Sequence, residues 1–460
     1  MKNAVYDQRF YTFLNFRWMQ ECAAGSRCCP SCKTRAYNRD IRPIYAKKLC
    51  AVDKSEEYRL QVLVDSERLK VGKLSQDVAI LKVELELQRK VTFRLEEQLE
   101  KLRNTNVLDL AADSESSSQA RPKMFKLFME KNIIICKEPG CRVLIYGNQS
   151  KNLIVSQKST QALFPGYGVR FLDIPTFRPS QFMHMSSKQV RDLSFDMDEE
   201  NLAAASMDRS LKVYNIHNKC VVNTFTPCDK PIWAVAFDRN RTKLAYFGSQ
   251  HGTTFAYDVR NPNVFLNEYK TDGDLSPVIN ICSIPFTEEF PFGGFLVCKL
   301  QSVWFNEYCA NEEIISTKLN IIGPFVSMNY DDATNHVLIS TRPSSTSPSS
   351  RYIIGTLYKV GEAVLLKNTV TMHGSKVQSV MTRSAQINID NNILVAAYLQ
   401  DTKLLTTWNV QNSERMQSLS INETVLDTCP IYINDEVYLS ALTDCRCRIF
   451  KVRSNNKSIS

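Results

Sequence analysis

The sequence has no uninterrupted apolar run of the roughly 18 residues that a membrane-spanning helix needs, which predicts a chain without membrane spans. Its first residues do not place an apolar stretch after a basic one, so no secretory signal is expected. The phosphate-binding pattern G-x-x-x-x-G-K-[ST] and the nucleophile pattern G-x-S-x-G are also missing, and we predict no catalytic residue of either type. Histidine is scarce: there are five, and the first is His184.

The overall composition is typical of a folded protein. The chain has 460 residues, of which 43% are hydrophobic and 23% charged, so it is long enough for two or three compact units. Its net charge of +9 permits an acidic partner without requiring one. The 15 cysteines are scattered among ordinary core residues, and without a secretory signal we expect them to be reduced thiols in an intracellular compartment.

Residues 58–104 have the spacing of a coiled coil. The segment contains one glycine, Gly72, and no proline, and apolar residues recur at alternating steps of four and three. Valine at the a positions and leucine at the d positions favour a parallel homodimer. The predicted seam consists of Val64, Val71, Leu74, Val78, Leu81, Leu85, Leu95, Leu99 and Leu102. The alternative is a long amphipathic helix that packs against its own chain. A polar linker is expected over residues 105–123.

Residues 124–460 contain repeated units of four short β-strands, each unit about 40 residues long, which is the signature of a propeller blade. One unit consists of Val190–Phe195, Leu202–Ser206, Ser210–Ile216 and Val221–Phe225. The next consists of Trp233–Phe237, Leu244–Ser249, Thr254–Val259 and Val264–Tyr269. Tyr214, Tyr257 and Trp408 stand where the tryptophan of a WD repeat is found, and Asp208 and Gly252 fall in tight turns.

The length of this region predicts about seven blades, and therefore a mainly β fold with a WD40-type propeller. The last unit shows only three strands before the chain ends. Because an open edge would expose unpaired backbone groups, we expect Lys126–Ile135 to supply the fourth strand and close the ring. A two-sheet sandwich is the alternative, and the repeat length fits it poorly.

Residues 1–57 are basic and contain five cysteines. Cys29 and Cys32 form a C-P-x-C pair whose thiolates can bind one zinc ion, and Cys22 or Cys28 could complete the site. Free thiols in a small domain are the competing interpretation. The basic run over residues 35–48 has few interleaved aromatic residues, so we expect a solvated surface and no direct contact with nucleic acid.

The chain resembles the RING-finger and WD-repeat E3 ubiquitin ligases of the Fanconi anaemia and replication-stress pathway. The likeness starts near Trp18 and follows the order zinc segment, coiled coil, linker and propeller. It is carried by Cys29–Cys32, Asp40–Leu49, Ala51–Glu56, Cys141–Tyr146, Phe164–Val169, Tyr257–Asn261, Phe292–Leu296 and Val425–Pro430. The resemblance implies a nuclear protein that recruits a ubiquitin-conjugating E2 and binds replication protein A through its propeller. It also implies a role in repair of stalled forks and interstrand crosslinks, with Trp18 and Pro30 as E2-contact candidates.

One departure from this family is plain. A full RING binds two zinc ions through eight ligands, but residues 1–57 contain five cysteines and no histidine, so only a partial RING-like segment with fewer than two zinc ions is expected. Three explanations stay open. The missing half is encoded upstream of Met1, or the chain is a divergent paralogue that kept only a dimeric, non-catalytic WD-repeat scaffold, or it binds an E2 in a reduced way.

Overall fold

The computed structural model describes Arg35, Tyr37, residues 59–68, 70–75, 78–79 and 82, and residues 124–454 apart from 162, 272, 311, 312 and 362. The chain divides into two compact units, Met1–Ala120 and Arg121–Ser460. Within the described ranges, no helix has both the length and the apolar character that crossing a membrane demands.

The first unit contains a helix that covers residues 59–68, 70–75, 78–79 and 82. The segment is rich in leucine, glutamate, lysine and arginine, all strong helix formers, and it contains no proline. Lys70 Nζ lies 2.8 Å from Glu67 Oε1, an ion pair one helical turn apart. The predicted coiled-coil segment is therefore helical at these residues, and from residue 83 onward it lies outside the described residues.

The described part of the second unit consists of β-strands joined by short turns. In chain order they are β1 Phe125–Ile134, β2 Leu144–Tyr146, β3 Asn152–Lys158, β4 Tyr167–Asp173, β5 Arg178–Ser186, β6 Val190–Phe195, β7 Asn201–Ser206, β8 Leu211–Asn215, β9 Cys220–Phe225, β10 Ile232–Phe237, β11 Leu244–Ser249, β12 Thr254–Asp258, β13 Phe265–Tyr269, β14 Val278–Ile284, β15 Gly294–Lys299, β16 Val303–Tyr308, β17 Ile314–Lys318, β18 Phe325–Asp331, β19 His336–Thr341, β20 Arg351–Val360, β21 Ala363–His373, β22 Ala385–Ile389, β23 Asn392–Leu399, β24 Leu404–Asn409, β25 Arg415–Ser420, β26 Asp427–Ile433, β27 Glu436–Leu442 and β28 Arg446–Ser454.

These strands form seven antiparallel sheets of four strands, which confirms the seven-bladed propeller. Six sheets follow chain order: β2–β5, β6–β9, β10–β13, β14–β17, β18–β21 and β22–β25. The seventh has the order β1-β28-β27-β26, so the first strand of the domain completes the last blade. The pairing runs from Phe125 opposite Ser454 to Ile134 opposite Arg446. The predicted closing strand is thus confirmed.

The first strand of each chain-ordered sheet, and β26 of the seventh, is the inner strand of its blade. Each inner strand contacts those of both neighbouring blades, so the seven inner strands close a ring. The apolar cores lie between adjacent blades, and because both faces of a blade are covered, its middle strands lose the usual alternation of apolar and polar residues. All six residues of Leu244–Ser249 are buried, whereas the outer strand Phe265–Tyr269 is mostly exposed.

The degenerate WD positions are confirmed as equivalent sites. Tyr214, Tyr257 and Trp408 are each the penultimate residue of the third strand of a blade, and all three are buried. Tyr214 Oη donates a hydrogen bond to the carbonyl oxygen of His184, 2.8 Å away. A large aromatic ring at this position therefore packs between blades, and at Tyr214 its hydroxyl also finds an acceptor.

The predicted turn residues also have the expected roles. Asp208 lies between β7 and β8, where its Oδ1 accepts hydrogen bonds from the N–H and the hydroxyl of Ser210 at 3.0 and 2.6 Å. Gly252 has a φ of 76° between β11 and β12, and a Cβ there would lie 2.7 Å from the carbonyl oxygen of Ser276. Glycine is therefore required at this turn.

Candidate functional site

The residues predicted to bind zinc or an E2 lie outside the described residues. These are Trp18, Cys22, Cys28, Cys29, Pro30 and Cys32. Among the residues that the structure does describe, no three histidine, cysteine, aspartate or glutamate side chains are grouped as a metal site requires. The described cysteines, which run from Cys136 to Cys447, are free thiols, as the sequence predicts.

The predicted seam is described over its first half. Val64, Val71, Leu74 and Val78 lie on the helix and are exposed, with between 48% and 63% of each residue's surface accessible. Residues spaced seven apart share one face of a helix, so these four form an apolar stripe. The other seam residues, Leu81, Leu85, Leu95, Leu99 and Leu102, lie outside the described residues.

Charged side chains from four blades meet near the axis of the ring. We call this group the central cluster; it consists of Arg142, Arg191, Asp192, Arg383 and Asp427. Arg191 and Asp192 lie on β6, Asp427 begins β26, and the other two arginines precede β2 and β22 by two residues. All five therefore lie where inner strands begin, at one end of the ring.

A β-bulge sets the direction of two side chains at this end. In β6, Val190 pairs with Ser206 and Asp192 with Ala205, so Arg191 has no partner on β7. The same shift leaves Trp233 of β10 without a partner on β11. A bulge redirects the extra side chain away from the regular pleat, and the Arg191 guanidinium carbon lies 4.6 Å from the centroid of the Trp233 ring.

Arg383 joins two carboxylates that belong to separate blades. Its Nη1 lies 2.8 Å from Asp192 Oδ1 and 3.8 Å from Asp427 Oδ2. Each acid also accepts a backbone hydrogen bond: Val235 N–H donates to Asp192 Oδ2, and Leu144 N–H donates to Asp427 Oδ2. Because the blades that carry Arg383 and Asp192 are not neighbours in the ring, this ion pair spans the axis.

Arg142 and Arg191 have no such pairing. The guanidinium group of Arg142 makes no ion pair within 4 Å with any acid that the structure describes, although only 8% of the residue is exposed. Its Nε is buried without a hydrogen-bond acceptor, and so are Nε of Arg191 and Nε1 of Trp233. Three N–H donors at this end of the ring therefore have no acceptor among the described residues.

The electrostatics follow from this arrangement. Burial and then repulsion by Arg383 lower the pKa of Arg142 to about 10. Burial, followed by repulsion from Arg142 and Arg383, lowers the pKa of Arg191 to about 9. Burial would lower the pKa of Arg383, but Asp192 and Asp427 outweigh it and raise that pKa. Burial raises the pKa of Asp427 to about 6 against the opposing charge of Arg383.

A second concave surface lies at the opposite end of the inner strands. This groove has a volume of about 960 Å³ and is lined by residues that follow or end β6, β14 and β18, among them Met197, Phe286 and Asp332. Two of its charged side chains are engaged: Arg239 Nε lies 3.3 Å from Asp332 Oδ2, and Glu289 Oε1 accepts a hydrogen bond from the backbone N–H of Lys359. The central cluster, with its unpaired arginines, is the stronger candidate site.

Sequence reasoning missed the central cluster. Arg191 and Asp192 stand inside a run that we used only as a strand signal, and Arg142 and Asp427 stand in segments that we used only for the family likeness. The one usable signal is the presence of charged residues at the start of otherwise apolar inner strands, as in Val190–Phe195. That signal does not say which charges meet.

Known proteins resemble both the propeller and the rest of the chain. Proteins named E3 ubiquitin-protein ligase RFWD3 are similar to it: the one from Mus musculus is 27% identical over 95% of this chain, and the one from Homo sapiens is 26% identical over 92%. The chain spans 59% and 58% of their respective lengths.

A solved structure supports the fold. The β-propeller domain of Cps50 (Swd1) from Myceliophteria thermophila superposes with a TM-score of 0.53 and 12% identity, covering 71% of this chain and all of that one. At this identity the likeness concerns the fold alone. The model of the family described as E3 ubiquitin-protein ligase RFWD3 WD40 domain matches residues 127–451, which is most of the chain. The chain therefore belongs to the RFWD3 WD40 family.

Proposed function

We propose that this chain is a RING-type E3 ubiquitin-protein ligase, or a truncated form of one, whose propeller binds the partner protein. The observation that carries the proposal is the extent of the likeness to the RFWD3 ligases. It covers 92–95% of the chain, more than the propeller alone supplies, so it continues into the N-terminal segment that would contact an E2.

The N-terminal segment would act by positioning. A RING ligase supplies no nucleophile; it holds the charged E2 and its ubiquitin in a reactive arrangement, which lowers the entropic part of the barrier. Cys29 and Cys32 have the thiolate chemistry and spacing that suit zinc, and Trp18 and Pro30 are the residues that would contact the E2. Five cysteines before the helix fit fewer than two zinc ions.

The propeller is the proposed platform for replication protein A, which would bring the ligase to stalled forks and interstrand crosslinks in the nucleus. The family likeness supports this assignment. The exposed stripe Val64, Val71, Leu74 and Val78 supports a homodimer, because a second copy of the same helix would bury it.

A second candidate function is a dimeric WD-repeat scaffold without ligase activity. The exposed stripe on the helix and the seven-bladed ring favour it, because both can bind protein partners whether or not an E2 is recruited.

Reconstituted ubiquitination tests the two functions. The chain is incubated with E1, E2, ubiquitin and ATP, and its zinc content is measured by atomic absorption. We expect ubiquitin conjugates, no more than one zinc ion per chain, and loss of both on changing Cys29 and Cys32 together to serine. Cys220→Ser is the matched control, because Cys220 is an exposed free thiol on β9.

Each outcome separates the alternatives. Absence of conjugates, with retained binding of purified replication protein A, supports the scaffold and contradicts the ligase. Two zinc ions per chain contradict the partial module. Failure of the propeller to bind replication protein A removes the proposed partner while leaving the family assignment intact.

A further inference from the structure

The central cluster has more positive than negative charge. Arg142, Arg191 and Arg383 contribute three guanidinium groups, and Asp192 and Asp427 contribute two carboxylates. Both acids make their ion pairs with Arg383 and accept backbone N–H bonds, so they and Asp444 act on Arg142 only from beyond ion-pair distance. If these charges served only to hold the blades together, Arg383 and its two acids would be sufficient.

The two remaining arginines have buried N–H groups without an acceptor among the described residues. Arg142 is more than nine-tenths buried, yet its Nε has no acceptor. Arg191 is held against the Trp233 ring, which fixes the plane of its guanidinium, and Nε of the arginine and Nε1 of the tryptophan also have no acceptor. Buried guanidinium groups with free donors are the geometry by which proteins bind planar or tetrahedral oxyanions.

We propose that this end of the ring binds an oxyanion, the carboxylate or phosphate of a side chain on a partner protein, through the guanidinium groups of Arg142 and Arg191. The oxyanion supplies the acceptors that the three donors lack and offsets the excess charge. Because Arg142 is so deeply buried, the ligand is a small charged group on a narrow stem. A nucleic-acid backbone, whose phosphates are flanked by sugars, would not reach it.

Thermal unfolding of the full chain with simple anions tests this site. Inorganic phosphate and glutarate, which stand for a phosphorylated and an acidic side chain, are titrated against sodium chloride at constant ionic strength. An anion that binds only the folded state raises the unfolding midpoint in proportion to the logarithm of its concentration above the Kd. We expect a rise with at least one of the two anions, and the better anion identifies the source of the group.

Variants tie the effect to the site. Arg142→Met and Arg191→Met keep most of the side-chain volume and should each weaken anion binding roughly tenfold or more, since each removes a charge-assisted contact. Arg178→Met is the matched control, because Arg178 is exposed on the outer strand β5 and should leave the anion response unchanged.

A further readout separates a binding role from a structural one. In chloride alone, Arg142→Met should unfold at the same temperature as the parent or higher, because it removes a buried charge that has no partner. A lower midpoint in chloride would show that Arg142 stabilises the ring itself and would overturn the proposal.

The remaining outcomes also decide the matter. Equal anion responses in the parent and in both variants, or no response beyond chloride, would overturn the site. A single-stranded oligonucleotide is the third probe. If it raises the midpoint and Arg142→Met abolishes the rise, the ligand is a nucleic acid, and the proposal of a side chain on a partner protein is wrong. This binding does not depend on ligase activity, so failure of the ubiquitination assay leaves it unaffected.

Discussion

Apolar side chains are exposed on the helix of the first unit and mostly buried in the blades of the second. On the helix, Val71 and Leu74 are each 63% exposed, whereas in the blades Phe225, Phe247 and Phe325 are fully buried. A closed ring gives every blade two neighbours, so it buries its own apolar surface. A single helix cannot do this, and its stripe is complete only against another surface. The comparison predicts that the propeller folds by itself and that the helix needs a second surface to cover its stripe.

The largest effect is expected from removing the strand that closes the ring. A fragment of residues 136–460 lacks β1, which leaves the nine-residue strand β28 as an open edge and exposes the apolar surface that covers Phe125 and Leu127. It also removes the hydrogen bond from Leu127 N–H to Gln417 Oε1 of the neighbouring blade. We expect no cooperative thermal transition by circular dichroism and a tendency to aggregate.

The matched control for that deletion is the fragment of residues 121–460, which loses the first unit but keeps β1. It should unfold cooperatively at the midpoint of the full chain. A cooperative transition in both fragments would show that folding does not require β1 to close the ring. Loss of folding in both fragments would contradict the prediction that the propeller folds without the first unit.

The next largest effect is expected on the helix of the first unit. Changing Leu74 and Leu81 to glutamate places charges at two d positions of the predicted seam, and we expect the sedimentation mass to fall from dimer to monomer. The propeller should keep its unfolding midpoint. Changing Asp65 to asparagine and Lys73 to glutamine is the control, because both are exposed at b and c positions away from the seam, and it should leave the mass unchanged. A monomeric mass for the unmodified chain would contradict the predicted homodimer.

A smaller but still substantial effect is expected inside the ring. Arg383→Met leaves Asp192 and Asp427 buried without their shared cation, and such a loss typically costs about 3–5 kcal/mol of the free energy of unfolding. Chemical denaturation of the 121–460 fragment measures it. Replacing the exposed Arg178 in the same way should change stability by less than about 0.5 kcal/mol. Equal stability of the two variants would mean that the axial ion pair contributes nothing.

Much of the fold could be predicted because its signals are local. The runs Val190–Phe195 and Leu244–Ser249 coincide with strands β6 and β11, and Asp208 and Gly252 mark the turns that follow second strands. The closing strand followed from a simple requirement, that no sheet edge be left open. The helical spacing of residues 59–82 could also be recognised in the sequence. That a second chain covers the apolar stripe of this helix stays a prediction.

The central cluster could not be predicted because it is not local. Arg383 and Asp192 are 191 residues apart and come together only when the ring is closed. In the sequence each is an isolated charge at the start of an apolar strand, a pattern with no fixed spacing to a partner. The bulge that redirects Arg191 could not be predicted from the sequence either, because it depends on the register between β6 and β7.

The smallest predicted effect tests a turn that the sequence did identify. Asp208 Oδ2 accepts a hydrogen bond from the Ser186 hydroxyl at 2.7 Å, and Oδ1 accepts two from Ser210. Burial alone would raise the pKa of Asp208, but the hydrogen bonds from Ser210, Ser186 and Ser206 outweigh it and hold that pKa below its ordinary value of 3.8. The ionised carboxylate therefore stabilises the fold above pH 3.8, and the contribution is lost as pH falls through the lower folded value.

Asp208→Asn should accordingly lower the free energy of unfolding by about 1 kcal/mol at neutral pH, and the gap to the parent should narrow as the pH is taken below 3.8. Denaturant unfolding at several pH values measures the gap, with Asp198→Asn at an exposed position between β6 and β7 as the control. A gap that stays constant with pH would mean that the asparagine disturbs the shape of the turn and that the charge of Asp208 has no part in it. Because this turn belongs to a blade, the effect should be the same in the 121–460 fragment as in the full chain, as the independence of the propeller requires.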